Sequence, residues 1–410
     1  MGNRNAVPAD VRTALAREWL PDIENELLQN ILPFWLKHAP DEAHGGFHGE
    51  IRPDLSVVPG APKSLVLCAR ILWTFAAAFR IYRDEAYLRL ADRAWDELTR
   101  RFADDRHGGY YWMLDGEGHP LQAKKQVYGQ AFAIYAFSEY RRATGSREAL
   151  ERAVDLFRLL ERHVNDPVHG GYVEAAARDW SPTDDMGLSG RDWNEKKSMN
   201  THLHLLEAYT NLLRVWPDAT LRVRLRELIG VMADRMFDPR TGHFGQYFDE
   251  AWNPKTDLVS YGHDIEGSWL LTEAAEVLGE GALLERVRPV ALRLAETTLR
   301  EGVDPRDGGL WNEGNPSGPT DLGKDWWPQA EAVVGFYNAY EMTGDERHLR
   351  AARDAWAFAV RHLADRECGE WHWGVGHDGT PVPDKPKLGA WKCPYHNARA
   401  CFEMKERLAR

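Results

Sequence analysis

RHGGYYWMLDGEGHPLQ, residues 106–122, reads as a tight reversal followed by a short β-hairpin. The glycine pair lets the chain turn where a side chain would clash, aromatics follow, and Asp115 and Gly116 mark a second turn. The stretch recurs along the chain. HGGF stands at 44–47, HGGY at 107–110 and again at 169–172, GHFG at 242–245, DGGL at 307–310 and CGEW at 368–371. Six copies at steps of sixty to seventy-odd residues span a chain of 410, the mark of a repeat architecture. An aspartate precedes most copies, as Asp41, Asp105, Asp166, Asp238 and Asp304 do, and is expected to cap a turn or a helix.

Between the copies the pattern is helical. SLVLCARILWTFAAAFRIY (64–82) and AYLRLADRAWDELTRRF (86–102) each carry apolar residues at three- and four-residue steps. The pair recurs at 127–144 and 148–164, 201–216 and 221–237, 264–279 and 282–299, and 326–343 and 346–363. An opening helix over about 10–37 and a closing one over about 394–408 complete twelve, the first pairing with the last. The first member of each pair is richer in apolar and aromatic residues, as an inner helix must be. These features predict an all-α fold, an (α/α)6 barrel: a toroid of six helical hairpins with short β-hairpins in its connecting loops, residues 1–410 as one domain. The alternative is an open solenoid, which needs polar capping repeats that a closed ring does not. Three long polar linkers, 177–200, 311–325 and 374–392, precede inner helices and are expected at one mouth as lid or rim.

Composition narrows the function. There are 63 acidic and 51 basic residues, a formal net charge of -12, and no basic run flanked by aromatics. That disfavours nucleic acid and anionic membrane surfaces. Cys68, Cys368, Cys393 and Cys401 form no CxxC and no disulfide framework, so free thiols in a reducing compartment are expected. The N-terminal MGNRNAVPADVRTALAREWL shows no apolar leader and no myristoylation pattern at Gly2, and no stretch approaches 18 consecutive apolar residues. A cytoplasmic enzyme, expected as a monomer, fits best. The 17 Trp, 14 Tyr and 14 Phe could fill a core or line a carbohydrate cleft.

The repeat also places polar residues. The first two turns of each inner helix should face the cavity near one mouth. They hold Arg70, Tyr128, Asn200 and His204, His263 and Glu266, Trp326 and Trp327, then Trp391 and His396. Asn200 and His204 share a helical face, whereas His202 points elsewhere. His263 and Glu266 also share a face, and Asp264 reads as a helix-dipole residue. Arg70 lies in a dense apolar run and must be paired or face a cavity. His396 is either a satisfied core residue or a site residue.

No HExxH is present, although three histidines and a glutamate on a helical ring could still hold a metal. Glycoside hydrolysis would need two carboxyl groups, Glu266 with Glu331 or Asp264. Histidines in an aromatic cavity point instead to proton transfer near neutral pH. The C2 proton of an open-chain aldose is acidified by its aldehyde, and a third His or an Arg would stabilise the enediolate. With neither GxGxxG nor a P-loop, no redox or nucleotide cofactor is expected, and no metal.

ARILWTFAAAFR around Arg70, VYGQAFAIYAFSE around Tyr128, SMNTHLHLLEAY around His204, GHDIEGSWLL at 262–271, DWWPQAEAVVGF at 325–336 and WKCPYHNARAC at 391–401 resemble the N-acylglucosamine 2-epimerase superfamily, and within it the cellobiose 2-epimerases. The resemblance covers nearly the whole chain. It implies a cofactor-free barrel that reversibly inverts C2 of the reducing-end glucose in β-1,4-linked disaccharides such as cellobiose and lactose. It further implies His263 and His396 as the acid–base pair and His204 with Arg70 holding the cis-enediolate. Glu266 and Asn200 would bind hydroxyls, and Tyr128, Trp326, Trp327 and Trp391 would line the sugar sites. Related barrels act as N-acylglucosamine 2-epimerases or aldose–ketose isomerases. A hydrolase or a non-catalytic carbohydrate binder is the remaining alternative.

Overall fold

Each glycine element closes the same turn. The computed structural model describes residues 7–190 and 192–409, so Gly2 and its neighbours lie outside the described residues. In all six copies a residue pairs antiparallel with the one seven places on: Pro40 with Phe47, Ala103 with Tyr110, Asn165 with Tyr172, Phe237 with Phe244, Val303 with Leu310, and Ala364 with Trp371. Glycine is required inside the turn. At Gly109, φ is +69° and a Cβ would lie 2.6 Å from the Trp180 ring. The aspartate that accepts the turn's N–H groups sits four residues before the first glycine, as Asp41 does before Gly45. In the second copy that residue is the buried Asp104, not Asp105: Asp104 accepts from the backbone of Arg106 and His107.

A lysine from the strand or linker ahead of the inner helix plugs five of these turns. Lys63 meets Asp41 at 3.2 Å, Lys125 meets Asp104 at 2.9 Å, Lys197 meets Asp166 at 2.7 Å, Lys324 meets Asp304 at 2.8 Å, and Lys387 meets Asp365 at 2.6 Å. The fourth copy has Val259 at the lysine position, and its Asp238 pairs with Arg240 instead.

Six inner helices follow: Leu65–Tyr82, Val127–Thr144, Met199–Val215, Tyr261–Leu278, Trp326–Thr343 and Tyr395–Leu408. Each packs on the next, and the last packs on the first, so the ring is closed. Their outer partners begin Glu85–Glu97, Arg147–His163, Ala219–Val231, Gly281–Glu301 and Glu346–Phe358. The opening helix, Ala9–Glu26 continued through a π turn into Leu32–His38, packs on the closing one. Burial follows composition. Fourteen successive residues from Leu65 to Ala78 are buried, as befits a helix apolar all round. Arg147–His163 buries only Ala149, Ala153, Val154, Leu156, Phe157 and Leu160, a single stripe. Leu65–Tyr82 is long and apolar enough by composition to cross a membrane, yet it lies inside the ring with 78% of it buried.

Short antiparallel strands stitch neighbouring hairpins around one mouth. The strand before each inner helix pairs with the next linker: Lys63–Ser64 with Met113–Leu114, Lys125–Gln126 with Ala175–Ala176, Lys197–Ser198 with Tyr247–Phe248, Val259–Ser260 with Glu313–Asn315, and Lys324–Asp325 with Gly374–Val375. An Ile51–Leu388 bridge closes the circle. The long linkers therefore share the end where the inner helices begin.

Candidate active site

At that end lies a cavity of about 250 Å³. Arg70, Tyr128, Asn200, His204, His263, Glu266, Trp326, Trp327, Trp391 and His396 all line it. All but Trp391 stand on inner helices, and Trp391 comes from the last linker. The helical period explains the convergence. Counting the last helix from its Pro394 cap, the sixth residue of each inner helix is Arg70, Phe132, His204, Glu266, Glu331 and Arg399 in turn, one side chain per hairpin at one depth.

All three imidazoles are pushed below their ordinary value, with His204 and His396 buried and His263 partly exposed. Burial lowers His263 to about 3, helped by the charge of a protonated His204, and pushes His396 well below its ordinary value. Burial lowers His204 as well, against the pull of Glu207. His263 and His396 both rest against the Trp327 ring, centroids 4.7 and 5.6 Å away. His204 packs on Tyr128 and Phe132 at 4.8 and 4.6 Å. Two of the imidazoles have their Nδ1 fixed: His204 by Glu207 Oε1 and His396 by Glu331 Oε1, each at 2.7 Å. Among the described residues Nδ1 of His263 has no partner.

Arg70 carries an uncompensated charge. It donates to the Tyr128 hydroxyl at 2.8 Å and to Cys393 Sγ at 3.5 Å, and its guanidinium lies 4.2 Å from the Phe132 ring centre. No carboxylate among the described residues forms a salt bridge with it, although it is 3% exposed. A buried cation of this kind is stabilised by an anion arriving in the cavity.

His202 and Asp264 serve the fold. His202 Nε2 accepts the Tyr172 N–H at 2.9 Å, with Nδ1 2.7 Å from the Ser198 carbonyl. Asp264 accepts the Phe244 N–H and bonds His243, a tighter role than dipole compensation. A second cavity of about 630 Å³ adjoins the first, the two sharing Leu188, Ser189 and Trp391. Lys124 tethers the 185–190 segment between them by bonds to Asp185 and the Gly187 carbonyl.

The sequence matches the family described as N-acylglucosamine 2-epimerase (GlcNAc 2-epimerase) over residues 45–400. It is 45% identical to the cellobiose 2-epimerase of Bacteroides fragilis over 383 residues, 93% of this chain and 97% of that protein. The chain belongs to the N-acylglucosamine 2-epimerase family. The solved cellobiose 2-epimerase of Bacillus thermoamylovorans B4167 superposes with a TM-score of 0.91 at 40% identity, covering 95% of this chain and all of that one. That of Spirochaeta thermophila gives 0.89 at 41%, covering 98% and 99%. The protein is thus an isomerase, a carbohydrate epimerase.

This epimerase holds further site groups that sequence reasoning did not single out. Leu188, Ser189 and Asp192 from the first long linker and Trp373, just ahead of the last, line the cavity. Trp373 donates to Asp325 at 3.0 Å and packs edge-on to Trp326. The long polar linkers were the available signal; which residues face inward was not. Behind the cavity, Glu266, Glu331 and His396 bring metal-capable atoms within 4.8 Å of one another. Arg399 bonds both carboxyl groups there, so the positive charge a metal would bring is already supplied. Burial, with Glu331 and Glu207 nearby, raises Glu266 against the pull of Arg399, and its Oε2 has no partner among the described residues.

Proposed function

We propose that the whole chain is one catalytic domain for reversible, cofactor-independent C2 epimerisation of the reducing-end glucose of β-1,4-linked disaccharides, cellobiose to glucosyl-mannose and lactose to epilactose. The observation that carries this reading is the Arg70 guanidinium, without a carboxylate partner among the described residues, lining one cavity with three imidazoles that burial pushes below their ordinary value. A neutral imidazole can take a proton from carbon, and an unpaired buried cation awaits the anion that results.

The steps are these. One of His263 and His396, entering protonated, gives its proton to O5 while the other takes the O1 proton, which opens the ring and leaves the first imidazole neutral. One imidazole then takes the C2 proton, leaving an enediolate whose O1 charge Arg70 and His204 stabilise. Rotation about C2–C3 presents the other face, or the second imidazole reaches it directly, and a proton returns to C2 with inverted configuration. Glu266 and Asn200 hold hydroxyls, and Tyr128, Trp326, Trp327 and Trp391 bound the sugar. The adjoining 630 Å³ cavity, within the usual roughly 300–1,000 Å³ of ligand clefts, gives the second sugar a place. That one chain supplies all the cavity residues named supports a monomer, and four free cysteines support a reducing compartment, the cytoplasm.

The test is incubation of the pure protein with cellobiose and a chelator in D₂O. The expected product is 4-O-β-glucosyl-mannose with deuterium at C2. Unchanged cellobiose, with N-acetylglucosamine or mannose reacting instead, would overturn the substrate assignment. Ketose alone would overturn the epimerisation.

A further inference from the structure

Arg399 is 1% exposed and stands on the last inner helix one turn beyond His396. Its Nη1 donates to Glu207 Oε2 at 2.5 Å and to the Tyr395 hydroxyl; its Nη2 donates to Glu331 Oε1 at 2.6 Å and to Glu266 Oε1. Glu207 and Glu331 are the two carboxylates that fix Nδ1 of His204 and His396. They come from the third and fifth inner helices, and this guanidinium bonds both. Trp269 donates to the other oxygen of Glu331 at 3.0 Å and stacks beneath the guanidinium at 4.8 Å, and Tyr395 lies 4.3 Å from it, so the hub is walled on its faces by rings. Arg399 does not line the cavity.

Resting on the reaction proposed above, we infer that Arg399 is a positioning residue: one guanidinium holds Glu207 and Glu331, and through them turns His204 and His396 so that both present Nε2 to the bound sugar, His396 at C2 and His204 at the enediolate oxygen. A planar fork with two donating edges can serve carboxylates from two directions in fixed geometry, which an ammonium cannot. A carboxylate on Nδ1 fixes the tautomer that leaves Nε2 free to accept a proton, and it stabilises the imidazolium that forms. His263 lies outside this arrangement, its Nδ1 unpartnered among the described residues. The hub therefore prepares two imidazoles of the three.

The experiment combines exchange kinetics with NMR of full-length protein labelled with ¹⁵N in its histidines. Glu207→Gln is expected to remove one slowly exchanging, downfield Nδ1–H signal and Glu331→Gln another, with Arg399→Met shifting or removing both. Arg399→Met is expected to lower kcat for C2 proton exchange by about a hundredfold, with affinity for the reduced, ring-less disaccharide changed less than threefold. Arg399→Lys should not restore the rate. In the Glu207→Gln, Glu331→Gln background, where fewer buried charges are left and folding is safer, adding Arg399→Met should change kcat less than threefold. An undiminished rate in Arg399→Met, or an equal loss in both backgrounds, overturns the inference. A wild-type protein that exchanges no sugar C2 proton overturns the reaction proposed above, and the Nδ1 signals then decide the positioning on their own.

Discussion

The aspartate turns at the rim and the sixth positions of the inner helices both occur once per hairpin, yet they behave as opposites. Five turns share one solution, a lysine on an aspartate over a glycine. The sixth positions follow no such rule: Arg70, Phe132, His204, Glu266, Glu331 and Arg399 are two arginines, two glutamates, a histidine and a phenylalanine. Between them stands the fourth position, which still serves the turn. Gln130 and Gln329 each accept from and donate to the backbone of Tyr110 and Leu310, and His202 accepts from Tyr172. What the hairpins repeat builds the ring. Where they diverge, the ring gathers basic, acidic and aromatic groups from different sectors, and chemistry becomes possible at its axis.

The sharpest break should come from the divergent set. His396→Ala is expected to fold, since the residue contributes no backbone bond, and to lose about 10³-fold in kcat, within the range for a positioned acid or base. His263→Ala should do the same. Circular dichroism with exchange kinetics checks both, and retained turnover removes that residue from proton transfer. The repeated set should break differently. Lys63→Met leaves Asp41, 4% exposed, with the exposed His44 as its remaining side-chain ion-pair partner. Removing one partner of such a pair costs about 3 kcal/mol. Denaturant melts should show that loss, with kcat per folded molecule unchanged.

How much of this was legible in the sequence follows from the same division. The glycine turns and the two-helix period are local patterns that recur six times, so the ring and its mouth could be read, and counting along each helix reached His204, His263 and His396. The periodicity began the third and fourth inner helices at 201 and 264; their starts at Met199 and Tyr261 lie earlier because the preceding strands run straight into the helix. Asp105 was misread for Asp104 because adjacent aspartates differ only in which faces the turn. Arg399 stood in a quoted string, but its partners lie 192, 133 and 68 residues away, on helices whose rotation only the packed structure fixes. Leu188, Ser189 and Asp192 come from a linker without periodicity.

His202 and His204 set the comparison within a single turn of helix. His202→Gln supplies the residue that Gln130 and Gln329 place at the same position, so the turn and kcat should survive. His204→Gln should keep the fold and lose most turnover. Acid separates them further. Burial drops His202 to about 3 from an unfolded value near 6.5. Below pH 6.5 the unfolded state therefore binds more protons than the folded one, and stability falls with pH. By pH 5 that penalty is about 2 kcal/mol. His202→Gln lacks it, so unfolding free energies measured at pH 7 and pH 5 should shift in the variant's favour by that amount. An unchanged difference would mean that His202 is already protonated in the fold.

The smallest effect should come from repairing the one turn that departs from the rule. Val259 takes the lysine's place in the fourth copy, and a cavity of about 640 Å³ lined by Asp238, Val259, Phe248 and Trp252 lies beside it. Val259→Lys would set an ammonium where its counterparts reach their aspartates, with Asp238 already bonded to Arg240 and partly exposed. A pair of that exposure is worth roughly 0–1 kcal/mol, and the lost valine burial offsets part of it. The melting curve should therefore move little and kcat not at all. A loss above about 3 kcal/mol is what an unpaired buried charge costs. It would show that the fourth turn has drifted out of register with the other five, and that the repeat carries the fold there by packing alone.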